Sequence, residues 1–143
     1  MVAANGYLRV GDTDIRCGFR PEHIMFYANL TQAALNTEYT SGSNVGSGAN
    51  ASAWSAAFAT GAASSEQYVS GLTYNSGGIN EHQAYAGDGE VVYLIATRSA
   101  GETITGRSRA SVASVSEQGL TLSWSATDAT PAIVAWQAYG AEV

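Results

Sequence analysis

The sequence predicts an all-β protein, an antiparallel β-sandwich of jelly-roll-like character with eight or nine short strands. Three observations carry that reading. Apolar residues alternate with polar ones along most segments, the period of a half-buried strand. Turns rich in Gly, Asp and Ser interrupt those segments at intervals near the ~8–12 residues of sandwiches and barrels, and no repeated βα pattern appears. At 143 residues and 14.8 kDa the chain suits one domain, residues 1–143, large enough to bury a core and too short to divide in two.

Taken in order, Tyr7–Val10 and Thr13–Cys17 flank Gly11-Asp12, whose residue types supply the positive φ of a two-residue hairpin loop. Gly18-Phe19-Arg20-Pro21 reads as a bend. Ile24, Phe26, Ala28 and Leu30 then alternate with His23, Met25, Tyr27 and Asn29, which marks a strand with one buried face. Thr31–Leu35 has the propensity for a short helical turn. Thr40 to Ser52 is expected to be a long surface loop, since it has too little apolar content to offset its ordering entropy. Ala53–Thr60 is read as a strand and Gly71–Gly78 as a second polar loop.

Further on, Ala86–Gly89 separates a strand at Ile79–Tyr85 from one at Glu90–Thr97. The latter is apolar on both faces, which predicts a central place in a sheet or a covering loop. Ser99–Glu102 turns into Thr103–Arg107. Glu117-Gln118-Gly119 joins Arg109–Val115 to Leu120–Trp124, the strongest hairpin signal in the chain. Ala132–Tyr139 closes the sheet. Trp54, Trp124, Trp136, Phe19, Phe26 and Phe58 are the expected large core residues.

Charge narrows the function classes. The six basic residues are all arginines, the net charge is −6, and the pI is near 4.6. Phosphate backbones and anionic lipid both require a positive patch, so neither nucleic acid binding nor membrane insertion is expected. No window reaches the ~20 consecutive apolar residues of a membrane span, and the first residues lack the basic and apolar regions of a secretory signal. An acidic, lysine-free, Ala-rich chain fits a halophilic host, and equally a GC-rich genome. Cys17 is the single cysteine, so no intrachain disulfide supports the fold, and a buried apolar role is expected for it. Asn29-Leu30-Thr31 and Asn50-Ala51-Ser52 are glycosylation sequons.

The residues that could carry chemistry do not assemble into a known set. His23 and His82 are the only histidines, there is no Gly-x-Ser-x-Gly elbow, and both histidines read as ordinary strand or turn residues. Glu81, His82 and Asp88 lack a metal-ligand spacing. Asp12-x-Asp14 opens like a calcium loop, but Arg16 and His23 occupy later ligand positions. Gly46-Ser47-Gly48 lacks the third glycine of a dinucleotide loop. The acids Asp12, Asp14, Asp88, Glu90, Glu102, Glu117 and Asp128 fall mostly in turns, unlike the facing pair of a glycosidase. No enzymatic activity, cofactor or metal is therefore expected. A sugar-binding sandwich needs an aromatic platform, for which Tyr27, Tyr39, Tyr74, Tyr85 and Trp136 are candidates. Tyr39, Tyr74 and Tyr85, beside the polar loops, are the ligand or receptor contacts this predicts.

Gly18-Phe19-Arg20-Pro21 followed by His23–Tyr27 resembles a phrase recurrent in β-sandwich structural proteins of tailed phages and haloarchaeal tailed viruses. Trp54 with Phe58–Gly61, Gly106-Arg107 with Ala110–Val112, Gly119–Trp124, and Ala135–Tyr139 are similar to its later segments. The family's usual Gly-Phe stands here as Gly119-Leu120. The resemblance spans about Asp14 to Tyr139 and lies in framework residues, so it carries over no catalytic residue. It implies a non-enzymatic virion protein assembled in the host cytoplasm and displayed on the particle, as a capsid decoration, a turret or a tail component with a part in host adsorption. The implied partners are further copies of the chain and other virion proteins, since edge strands and virion symmetry favour homo-oligomers. A carbohydrate- or receptor-binding module that meets a host-surface glycan is the alternative reading.

Overall fold

A computed structural model describes residues 1–30, 52–60, 66–75, 81–98, 104–128 and 132–141. The described residues form ten strands in two sheets. Strands β1 (Val2–Arg9), β10 (Ala132–Gly140), β3 (His23–Leu30), β4 (Ser52–Thr60), β5 (Glu66–Asn75) and β6 (Glu81–Asp88) lie in that order in the larger sheet. Strands β2 (Asp14–Arg16), β9 (Gly119–Ala126), β8 (Ile104–Ser116) and β7 (Val92–Arg98) make the smaller one. All pairings are antiparallel. The protein is thus an all-β sandwich, as the alternation and turn spacing predict. Its jelly-roll character lies at the chain ends: β1 and β2 enter opposite sheets, beside β10 and β9, while β3–β6 and β7–β9 are meanders.

The hairpin predicted across Gly11-Asp12 does not form. β1 pairs along its whole length with β10, and β2 pairs with β9. The turn between them spans Arg9 to Asp12. Asp12 N–H donates to Arg9 C=O at 3.0 Å, the Arg9 N–H donates to Asp12 Oδ2 at 2.8 Å, and Gly11 sits third with φ 95°. A positive φ there belongs to a type II turn, whose twist splays the flanking strands instead of pairing them. The chain leaves one sheet and is caught by the other: Trp124 Nε1–H donates to Asp12 C=O at 2.8 Å, and Leu122 N–H donates to Thr13 C=O at 2.7 Å.

The other predicted hairpin stands. Ser116 pairs with Gly119 across Glu117-Gln118, and β2 lies so close that a Cβ on Gly119 would overlap the Ile15 carbonyl oxygen. Arg107 and Arg109, predicted to lie in separate strands, both belong to β8, which bends at register shifts instead of breaking. Gly71–Asn75, expected in a loop, continue β5, and Ala86–Asp88, expected in a turn, continue β6. The helical turn at 31–35 and the loop from Thr40 lie outside the described residues, except that Ser52 begins β4.

The core joins Ile24, Phe26, Ala28, Val134, Trp136 and Ala138 of the larger sheet to Ile15, Leu120, Leu122, Val112, Val92 and Leu94 of the smaller. Phe19, Phe26 and Trp136 are buried as predicted, and Trp124 is half-buried. Trp136 lies across Gly6, where a Cβ would come within 2.8 Å of its ring. Trp54 and Phe58 are not core residues. In β4 the inward positions are Ser55, Ala57 and Ala59, and both aromatics face out. Their spacing of four does place them on one face, but small partners were needed inside.

Of the two expectations for its apolar faces, a central place or a covering loop, the central place is not met, because β7 is an edge strand. Val91, Val92, Tyr93 and Leu94 are nonetheless all buried, because the larger sheet wraps past that edge. Tyr93 N–H donates to Ser55 Oγ of β4 at 3.4 Å, and Gly71 admits the approach: a Cβ there would meet the Trp54 carbonyl oxygen at 2.9 Å and that of Tyr93 at 3.3 Å. Next to this contact the Gln67 side chain of β5 crosses to the opposite sheet. Its Nε2–H donates to Val112 C=O at 3.0 Å, and its Oε1 accepts from Val112 N–H at 2.7 Å. Gln67 thereby supplies β8 with the ladder partner that β7 no longer provides. Replacing it by Leu strands two buried backbone groups, which costs about 3 kcal/mol. Urea unfolding of Gln67→Leu should show that loss with an unchanged m-value, and a midpoint equal to wild type would disprove the role.

Candidate functional site

The outward face of the larger sheet is the feature the fold does not use for its own stability. Alternation forces its composition: once Ile24, Phe26 and Ala28 of β3 point inward, His23, Met25, Tyr27 and Asn29 point out. Register then aligns the strands. One row across the sheet reads Tyr7, Ala135, Tyr27, Ala56, Ser70 and Ala86, and the next reads Asn5, Gln137, Met25, Phe58, Tyr68 and Asp88. The first row is mostly small and the second bulky beyond Gln137, so a trough runs beside a ridge.

That trough is a groove of about 650 Å³ with Ala56, Ser70, Ala86 and Gly87 low and Met25, Tyr27, Phe58 and Tyr68 raised around it. Phe58 and Tyr68 are cross-strand neighbours with ring centroids 5.2 Å apart, a favourable tilted aromatic pair. His23 completes one end, 6.3 Å from the Phe58 ring and 6.5 Å from Tyr139. Five large side chains, Tyr7, Tyr27, Trp54, Phe58 and Tyr68, are 42–52% exposed on this face. A contiguous apolar patch of this kind marks an interaction surface, whereas scattered exposed side chains do not.

The three predicted contact residues fall elsewhere. Tyr39 lies outside the described residues, as does the Tyr74 side chain, although Tyr74 itself is in β5. Tyr85 is half-buried at the seam between the sheets. It stacks on Tyr93 with centroids 3.7 Å apart and donates its hydroxyl to Glu90 Oε2 at 3.1 Å. Arg109 closes this group, with Nε bonded to Glu90 Oε1 at 2.6 Å and its guanidinium 5.1 Å from the Tyr93 ring centroid. Of the other suggested platforms, Tyr27 is on the groove and Trp136 is in the core. Sequence reasoning missed Phe58 and Tyr68. The signal was present as Ser55, Ala57 and Val69, small or aliphatic residues whose inward placement turns the aromatics outward.

Histidine and acid groups are dispersed. His23 has aromatic neighbours, the His82 side chain lies outside the described residues, and no cluster of three His, Cys, Asp or Glu among the described residues could hold a metal ion. A second groove of about 450 Å³ follows β2 and the hairpin tip, with Asp14, Arg16, Ser116 and Gln118 on it. Cys17 is half-buried, which pushes its thiol above the usual range, as expected for an inert thiol. No described helix is long and apolar enough to cross a membrane.

Fold and face together define a two-sheet antiparallel sandwich that presents an aromatic-walled apolar groove. No family model, curated protein or solved structure matches the chain.

Two expectations follow from these placements. Phe26→Ala should cost about 3–5 kcal/mol, as for a buried aromatic, while Phe58→Ala should cost under about 1 kcal/mol; equal losses in thermal unfolding would contradict the outward placement of Phe58. Burial, and then the hydrogen bond to Glu90, hold the Tyr85 phenol above its ordinary 10.0. The unfolded chain therefore releases that proton first, so stability is full below about pH 10 and falls as pH rises from there through the folded value. Chemical denaturation across this range should show the decline, with a shallower one in Tyr85→Phe.

Proposed function

We propose that the chain is a non-enzymatic structural protein displayed on the surface of a tailed virus particle, where it docks through the outer face of its larger sheet. The docking part is carried by one observation: aromatic side chains stand outward around an apolar groove while small residues fill the inward positions of β4. A soluble domain that used the face for nothing would carry polar side chains at these outward positions. The virion part rests on the framework segments between Gly18 and Tyr139. The groove floor of Ala56, Ser70, Ala86 and Gly87 favours an apolar protein partner over a sugar, because a sugar needs several fixed polar groups beside its stacking ring.

Mass spectrometry of purified particles should find the protein as a stoichiometric component, and its absence would reject the reading. Phe58→Glu, placed in the groove wall, should fold normally yet be lost from particles. The carbohydrate-binding alternative draws on the exposed Phe58–Tyr68 pair. A glycan array that gave Tyr68-dependent signal would favour it.

A further inference from the structure

We infer that the occupant of this face is a second copy of the chain, packed face to face about a twofold axis with the strands of the two larger sheets crossing near a right angle. The inference rests on the reading of the outer face as a docking surface and names the partner. Size is the first argument. Six strands about 4.8 Å apart and about eight residues long at 3.4 Å each present roughly 600–700 Å² in projection, close to the ~800 Å² per partner of a standard interface.

Charge is the second. The chain carries a net −6, yet the described centre of this face has no acid to repel another copy. Among the described residues, its charged side chains stand at two corners. Arg9 ends β1, paired with Ile133, whereas Glu66 and Asp88 belong to β5 and β6 at the diagonally opposite corner. A twofold axis in the plane of the face, perpendicular to that diagonal, sets each Arg9 against the partner's acidic corner and forms both ion pairs at once. The same operation turns the strands by about a right angle, which is one of the two favoured ways for sheets to pack.

Shape is the third. With the axis passing between β3 and β4, Tyr27 of one copy falls over Ala56 of the other, and Phe58 falls over Ala135, so bulky ridge residues meet the row of small ones. An isologous contact requires self-complementarity of this kind. Cover by the chain's own 31–51 segment is the weaker candidate, because Leu35, Tyr39 and Val45 are its only large apolar residues.

Analytical ultracentrifugation of the full chain at micromolar concentration should give twice the 14.8 kDa of one copy. Ala56→Glu and Phe58→Glu should each return it to the single mass with unchanged circular dichroism. Arg9→Glu, at an exposed corner where folding is not at stake, should weaken the dimer about tenfold or more, and adding Glu66→Arg with Asp88→Arg should restore it. A wild-type chain that stays monomeric to high micromolar concentration overturns the inference, as does a dimer indifferent to both the groove and the corner substitutions. A monomeric chain whose Phe58→Glu variant is still lost from particles would leave the docking reading intact and overturn only the second copy. A dimer absent from particles would keep the second copy and the docking face and overturn only the virion reading.

Discussion

The side-chain amide of Gln67 is the hinge of the architecture. It spans from the larger sheet to Val112 of the smaller one and satisfies both backbone groups of that residue. A buried amide bonded twice is worth more as a constraint than as energy, because misalignment strands two backbone groups in the core. It thereby fixes the relative register of the sheets at the point where β7 ends. The neighbouring contacts share that register: Gly89 N–H donates to Gln67 C=O at 2.8 Å, Ser55 meets the backbone of Tyr93, and Tyr85 stacks on Tyr93 above the Glu90–Arg109 pair.

The outer face follows from the same closure. Where β7 presses against the inside of β4 and β5, only small residues fit, and Ser55, Gly71 and Ala57 occupy those places. The bulk of these strands then has one direction left. Trp54, Phe58 and Tyr68 stand outward because the inside is filled by another backbone, and the surface so formed has the composition of an interface.

The opposite side of the sandwich is closed by the chain ends. The Arg9–Asp12 turn passes the chain from one sheet to the other, and Trp124 holds the crossing through its indole N–H. Beyond β2, Cys17 and Gly18 donate N–H groups to Gln118 C=O at 2.9 and 3.1 Å, and Arg20 pairs with Glu117 at 2.8 Å. That ion pair is exposed and contributes little by itself; the backbone bonds do the positioning.

By itself the sequence determined the class of fold, the single strongest hairpin, and the buried face of β3, because alternation and turn chemistry are local and act within a few residues. It placed Phe19, Phe26 and Trp136 in the core correctly and Trp54 and Phe58 there wrongly, since these two share a side whichever way β4 turns and nothing local sets which side is inward. Tertiary structure decided the rest. Which sheet receives β2 depended on β9 as a competing partner for the chain after Gly11, and β7 could be an apolar edge strand only because a distant sheet wraps over it. The groove exists because β4, β5 and β6 align Ala56, Ser70 and Ala86 in one row beside the larger residues of β3–β5. Register between strands far apart in sequence sets that row, and no local pattern encodes it.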